Sequence, residues 1–272
     1  MLMDQYAVVG HPISHSKSPT IHAMFAEQTR QAMAYSAIEA PLDDFEQVVA
    51  DFFGQGGKGL NVTVPFKEQA WSLCQHLSER ARLAGAVNTL FKNANGQLCG
   101  DTTDGCGLVS DLKAQGVSLK GKNILIIGAG GAVKGVIQPI LSEAPAKLTL
   151  SNRTLSKAEA IVEVFKDQGS LACLSFDCVT ESYDLVINGT SASLGGQLPA
   201  ISSTIFGPQT LVYDMMYAKG DTVFNAWAKQ CGAAIVMDGL GMLVEQAAEA
   251  FFIWRGVRPR TREVVEFLRA AP

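Results

Sequence analysis

Short apolar runs alternate with stretches of helical spacing along the whole chain. Tyr6–Gly10, Tyr35–Glu39, Gly59–Val64 and Ala86–Phe91 read as strands. Between them the spacing predicts a helix opened by Ser18 as N-cap with Pro19 at its first position, a helix near 43–53 and another near 66–83. In the third strand Leu60, Val62 and Val64 alternate with Asn61 and Thr63. The three apolar side chains are therefore expected in the core, with Asn61 and Thr63 on the opposite face. Pro65 ends that strand, and Lys67 falls just past its tip. Residues 105–115 read as a helix with Leu108, Val109 and Leu112 on one face and Gly116 as its stop. A second series begins near 120. Asn123–Ile127 is continuously apolar, the mark of a strand covered on both faces. Further strands are expected at Lys147–Ser151, Asp184–Asn188, Leu211–Met215 and Ala234–Met237. Pro139 lies inside the helical pattern Val133–Ser142 and is expected to break or kink it. A last helix is expected from about Leu243 to Arg255, its stripe of Leu243, Ala247, Ala250, Phe251 and Trp254 packing back onto the first half.

This order of strands and helices is α/β, built from β-then-α units. It suggests two domains: residues 1–104 with 239–272, and an inserted α/β domain over 105–238, joined by hinge helices. With 272 residues, 47% hydrophobic and 18% charged, the chain can bury a sizeable core. The net charge of −4 lacks the basic face that nucleic acid requires. Six cysteines show neither C-x-x-C pairs nor zinc spacing, so no metal is expected and the thiols read as buried in a reducing compartment. The first residues lack a signal-peptide pattern, and no run approaches the ~20 apolar residues that span a bilayer. A cytoplasmic protein with no membrane partner is the expectation.

Two stretches carry chemistry. Asn61, Thr63 and Lys67 place an amide, a hydroxyl and an amine at one strand's carboxyl end, a set able to hold a polyol and move a proton; a plain strand-to-helix corner is the alternative. The run from Asn123 through Ile127 to Gly128-Ala129-Gly130-Gly131-Ala132 has the strand–loop–helix context of a dinucleotide fingerprint, with Val133 where a third glycine is usual. The next strand ends in Ser151-Asn152-Arg153-Thr154, with Lys157 beyond. No carboxylate is there to bond a ribose 2′-hydroxyl, and Arg153 offers a fork to a 2′-phosphate, which favours NADP over NAD. A capped helix start beside a surface arginine would use the same residues.

Taken together, Ser14-His15-Ser16-Lys17-Ser18-Pro19, Asn61 to Lys67, Gly85-Ala86-Val87-Asn88-Thr89, Thr103-Asp104-Gly105, Gly128 to Ala132, Asn152-Arg153-Thr154, Tyr213-Asp214-Met215, and Asp238 to Met242 with Gln246 resemble the shikimate dehydrogenase family. The resemblance spans nearly the whole chain. It implies an NADP(H)-binding Rossmann-like domain, a substrate-binding domain, and interconversion of 3-dehydroshikimate and shikimate on the way to aromatic amino acids. It implies Lys67 as general acid/base with Asp104 as partner. Ser14, Ser16 and Tyr217 would meet the substrate carboxylate, and Asn61, Thr63, Asn88, Asp104 and Gln246 the ring hydroxyls. Ser14 and Ser16 are left for that task because Ser18 already caps the helix. The pyrophosphate would lie on Gly128, Ala129, Gly130, Gly131 and Ala132, and the 2′-phosphate on Asn152, Arg153, Thr154 and Lys157. Thr190 and Ser191 follow a strand end, and Gly239 and Met242 would lie against the nicotinamide. Closure about hinges near 104 and 239 is expected, and a homodimer is left open. Thr102, Lys134 and Val223 depart from the family pattern. A broader quinate/shikimate dehydrogenase and a regulatory NADP binder without turnover are the other readings.

Overall fold

Strand β1 (Asp4–Gly10) opens the fold, followed by α1 (Ser18–Thr29), β2 (Met33–Glu39), α2 (Phe45–Gly54), β3 (Gly59–Val62), α3 (Lys67–Leu73), β4 (His76–Leu77), α4 (Glu79–Ala84), β5 (Thr89–Lys92) and β6 (Leu98–Asp101). The computed structural model describes residues 3–190 and 192–270, without the side chains of Ser193 and Leu194. The six strands form one sheet in the order β2-β1-β3-β5-β6-β4. β1 runs parallel to β2 and β3, whereas β5 is antiparallel to both β3 and β6. A tight turn joins β5 to β6, with Asn93 Oδ1 accepting the Asn95 and Gln97 N–H groups.

Helix α5 (Asp104–Ala114) leads to β7 (Asn123–Ile127), α6 (Gly131–Leu141), β8 (Lys147–Ser151), α7 (Leu155–Phe165), β9 (Leu171–Leu174), β10 (Leu185–Asn188), β11 (Leu211–Asp214), α8 (Val223–Gln230) and β12 (Ile235–Asp238). The chain ends with α9 (Leu240–Arg255) and α10 (Arg262–Ala270). The second sheet is wholly parallel, in the order β12-β11-β10-β7-β8-β9. Counted from β7 this is the 3-2-1-4-5-6 order of doubly wound dinucleotide-binding folds, reversing between β7 and β10. Two compact units result: Met1–Gly107 with Val244–Pro272, and Leu108–Leu243. Among the described residues no helix is long and apolar enough to cross a membrane.

Several local expectations are corrected. The helix expected over 66–83 is two helices. Cys74 turns extended because the Gln75 N–H bonds Leu98 O at 2.9 Å and His76–Leu77 pair with Cys99–Gly100. β3 is a central strand with all four residues buried, so Asn61 is buried too; Val64 lies past its end and is exposed. Helix α1 is capped at Lys17, and Ser16 Oγ accepts the Ser18 N–H at 3.3 Å, so Ser16 rather than Ser18 serves that helix start. α6 runs through Pro139 and ends at Leu141; the proline falls in the last turn, where little helix remains to break. The final helix is α10, not the one ending at Arg255. The strand placed at Ala86 begins only at Thr89, and β6 and β9 are additional. All six cysteines are free, and only Cys99 is buried; Cys178 is exposed.

Phe45 and Phe66 stack at 4.6 Å in the core of the first unit. His22 of α1 is fully buried among Tyr35, Phe25, Phe251 and Trp254, and among the described residues neither ring nitrogen has a hydrogen-bond partner. Burial pushes the imidazole down to about 3; Asn61 lies near enough to oppose the shift but not to bond. The unfolded chain therefore takes a proton below pH 6.5 that the native unit refuses, so stability present above 6.5 is lost as pH falls toward 3. Between pH 7 and 5 the loss from this group is about 2 kcal/mol. Urea unfolding at the two pH values is expected to show it, and His22→Leu to remove it.

Candidate active site

In the first unit, the loop after β1, the end of β3, the residue preceding β5 and the residues after β6 share one edge of the sheet. β5 runs antiparallel to β3, so its beginning lies beside β3's end: Asn61 pairs with Thr89, and the Val62 N–H bonds Asn88 O at 2.8 Å. The loops after β1 and β3 are tied by the His11 N–H to Val64 O at 3.0 Å. Both contain a cis proline peptide, His11–Pro12 and Val64–Pro65. Gly10 ends β1 without a side chain because a Cβ there would come within 2.4 Å of Thr63 Cγ2. That close approach seats Thr63 against the end of β1.

Lys67 is the first residue of α3 and Asp104 the first of α5. Lys67 Nζ meets Asp104 Oδ2 at 2.5 Å, with side chains 20% and 11% exposed. A carboxylate in a first helical turn is favoured by the helix dipole. Asn88, buried behind the pair, donates from Nδ2 to Asp104 Oδ1 at 2.8 Å and lies 3.3 Å from Gln246 Oε1. Its Oδ1 accepts the Thr103 N–H at 2.9 Å and the Thr89 hydroxyl at 2.9 Å. Asn61 Nδ2 in turn donates to Asn88 O and Thr89 Oγ1. Lys67, Asp104, Asn88, Asn61 and Gln246 thus come together in one hydrogen-bonded cluster. Thr63 sits at the end of β3, half-buried, and Ser14 (exposed) and Ser16 (half-buried) lie in the loop after β1.

The segment carrying Asp104 is anchored from behind. Asp101 accepts a two-pronged bond from Arg80 at 2.7 and 2.8 Å, the Ser78 hydroxyl at 2.5 Å and the Thr102 N–H at 2.7 Å. Arg80 also reaches Glu249 of α9 at 3.2 Å. Such a bidentate pair fixes direction as well as distance. Thr102, a departure from the family pattern, is buried and uses its backbone N–H here, so the turn into α5 forms without an asparagine. The sequence reading missed Tyr35, Thr89 and Arg80. Their involvement depends on strands paired across the sheet, which no local pattern announces.

In the second unit, the loops after β7, β8, β10 and β11 are laced by backbone bonds. Gly128 N–H bonds Ser151 O at 2.8 Å, Gly189 N–H bonds Ile127 O at 2.8 Å, and Met215 N–H bonds Asn188 O at 2.9 Å. Gly128 has φ +121 and Gly189 backbone atoms at 3.2 Å from where a Cβ would stand. A larger residue is therefore excluded there. Among the described residues nothing lies within 4 Å of a Cβ built on Gly130 or Gly131, and α6 starts at Gly131 with no side chain among them capping it. Its first N–H groups face an open cradle suited to an anion. Ala129 and Ala132 line the same turn, half-buried. At the end of β8, Asn152 Nδ2 bonds Thr154 O at 2.8 Å, while Arg153, Thr154 and Lys157 are exposed and the Thr154 side chain caps nothing. Thr190 bonds Asn188 Oδ1 through its N–H and its hydroxyl. Ser191 lies outside the described residues. Gly239 and Met242 flank the start of α9, where the Met242 N–H reaches Tyr213 Oη at 3.3 Å. Tyr217 is exposed after β11. Val223 opens α8 without the proline common there, since Thr222 caps that helix by accepting the Asn225 N–H at 3.1 Å.

The family model described as the shikimate dehydrogenase substrate binding domain matches residues 8–90. Those described as shikimate / quinate 5-dehydrogenase and as the shikimate 5′-dehydrogenase C-terminal domain match residues 111–195 and 239–266. The chain is 57% identical to a shikimate dehydrogenase (NADP(+)) from Marinobacter nauticus, over 99% of each chain. Among solved structures it resembles the Ael1 enzyme from Pseudomonas putida, with a TM-score of 0.94, 44% identity and 98% and 99% of the two chains covered. It also resembles shikimate 5-dehydrogenase from Thermus thermophilus in complex with NADP(H) and shikimate, with a TM-score of 0.87, 32% identity and 98% and 99% covered. At that identity over nearly its full length, the chain belongs to the shikimate dehydrogenase family.

Proposed function

We propose that the chain catalyses the reversible NADPH-dependent reduction of 3-dehydroshikimate to shikimate, with Lys67 and Asp104 as its acid–base pair. The observation that carries this is the 2.5 Å contact between Lys67 and Asp104, made by residues from different helices at one sheet edge and braced by Asn88. When bound, the cofactor supplies or accepts a hydride at its nicotinamide ring. Lys67 then gives a proton to the carbonyl oxygen during reduction and takes it back from the hydroxyl during oxidation. Asp104 orients the amine and balances its charge, and the low exposure of both keeps bulk water from competing for the proton. Ser14 and Ser16 offer hydroxyls to the substrate carboxylate, as does Tyr217. Thr63, Asn88 and Gln246 offer hydrogen bonds to ring oxygens.

The second unit fits NADP(H). The open N-terminus of α6 with Gly128, Ala129, Gly130, Gly131 and Ala132 suits a pyrophosphate. Arg153 and Lys157, with the uncommitted hydroxyl of Thr154 and the amide of Asn152, suit a 2′-phosphate. Thr190, Ser191, Gly239 and Met242 complete the assignment. The direct test follows nicotinamide absorbance with shikimate or quinate, each offered NADP or NAD. Shikimate with NADP is expected to be the best pair, and preference for NAD or quinate would overturn the assignment. Arg153→Ala should raise KM for NADP about tenfold or more and leave KM for NAD nearly unchanged, since a hydrogen bond to a charged group is worth roughly 1.5–3 kcal/mol. An unaltered NADP/NAD preference would remove Arg153 from the 2′-phosphate site.

A further inference from the structure

Asn61, next to last in β3, has only 7% of its surface exposed, and both polar atoms of its amide are committed inside the protein. Its Oδ1 accepts the Tyr35 phenol at 2.7 Å. Its Nδ2 donates to Asn88 O at 3.1 Å and to Thr89 Oγ1 at 3.2 Å. The Thr89 hydroxyl, having accepted from Asn61, sends its own proton on to Asn88 Oδ1 at 2.9 Å. The Thr103 N–H engages that same oxygen at 2.9 Å. With its carbonyl so occupied, the Asn88 amide turns Nδ2 toward Asp104 Oδ1, 2.8 Å away. Donation therefore runs one way, from Tyr35 through Asn61, Thr89 and Asn88 to the carboxylate that Lys67 holds from its other oxygen. Turning Asn88 over would set its oxygen against Asp104 and its NH₂ against the Thr103 N–H, and both contacts are repulsive.

The origin of this chain is rigid. The Tyr35 ring stacks on buried His22 at 4.1 Å with 6° between the planes. Burial raises the phenol well above its ordinary pKa, so it stays a donor throughout the working range. Tyr35 also lies beyond Asn61 from the Lys67–Asp104 pair, one link further along the bonds, so any effect it has on turnover must be transmitted.

We infer that Tyr35 and Asn61 are positioning residues for the acid–base pair, orienting Asn88 and through it Asp104. This rests on the reading of Lys67 and Asp104 given above. A loosened carboxylate misplaces the amine, and misplacement by an ångström costs up to about 10²-fold in rate. An interaction of this kind is expressed in kcat rather than in ground-state binding.

The test is a double-mutant cycle on Tyr35→Phe and Asn61→Ala, with kcat and KM for shikimate measured at saturating NADP. Tyr35→Phe keeps the stacked ring and removes one hydroxyl. It should lower kcat about tenfold with KM within about twofold, and Asn61→Ala should do the same. In the double variant the second change should add less than about a factor of two, because both act through one bond. Unfolding midpoints show whether each variant folds, and Asn61→Leu keeps the volume if the alanine does not. Unchanged kcat in Tyr35→Phe overturns the inference. So does a raised KM with kcat kept in Asn61→Ala, the mark of a ligand, and so do losses that multiply in the double variant, the mark of independent structural damage. If Lys67→Met keeps turnover, the acid–base reading falls first and this one with it. If Lys67→Met loses turnover and Tyr35→Phe does not, only this one falls.

Discussion

Lys67→Met is expected to lower kcat for shikimate oxidation by about 10²–10⁴-fold while KM moves by less than about threefold. The methionine chain fills nearly the same space, so the half-buried end of α3 should stay in place. What disappears is the one titratable group bonded to Asp104 among the described residues. Without it the alkoxide or hydroxyl oxygen has no partner to take or give a proton, and the loss falls on the transition state. Steady-state kinetics in both directions check this. Equal turnover would hand the proton to another group and leave Lys67 as a mere counter-charge. Unfolding midpoints should be read alongside, since removing the ammonium strands a carboxylate that is only 11% exposed.

The second large effect belongs to Gly239→Ala. A Cβ at this position would stand 2.2 Å from the carbonyl oxygen of Met215 and 2.7 Å from its carbonyl carbon. The clash is with backbone, not with a side chain able to swing away. Gly239 donates its N–H to Met216 O at 3.0 Å, so the ends of β11 and β12 are held together here. An added methyl must part them, at a cost of about 3 kcal/mol or more in the second unit. NADP affinity should fall with stability, because the same turn leads directly into Met242. Thermal unfolding with and without NADP would register both. A variant with the parent's midpoint would mean that the two strand ends can separate freely.

Much of this architecture can be read from residues alone. Asn123–Ile127 is recognisable because a strand covered on both faces is apolar nearly throughout, a signal independent of neighbours. β6 and β9 are four residues each, with Gly100 and Asp101 closing one of them, and carry no periodic signal. The break at Cys74 is invisible locally because the pattern continues as helix; a strand 24 residues later claims Gln75. Strict alternation puts Val64 inside, yet the strand stops at Val62 and the side chain emerges. In the site, Lys67 and Asp104 were legible as residue types, and their contact is a fact of the sheet. Asn61 reads from the sequence as a ligand facing solvent. Only the pairing of β3 with β5 reveals that its amide is already occupied.

The reversed course of β5 has one more effect. Because that strand starts at the functional edge, its hairpin with β6 is carried to the opposite rim, about four residues or ~13 Å away. Asn93 to Gln97 therefore form a remote handle on the enzyme. Peptide tags, fluorophores or surface tethers attached there would point away from the chemistry.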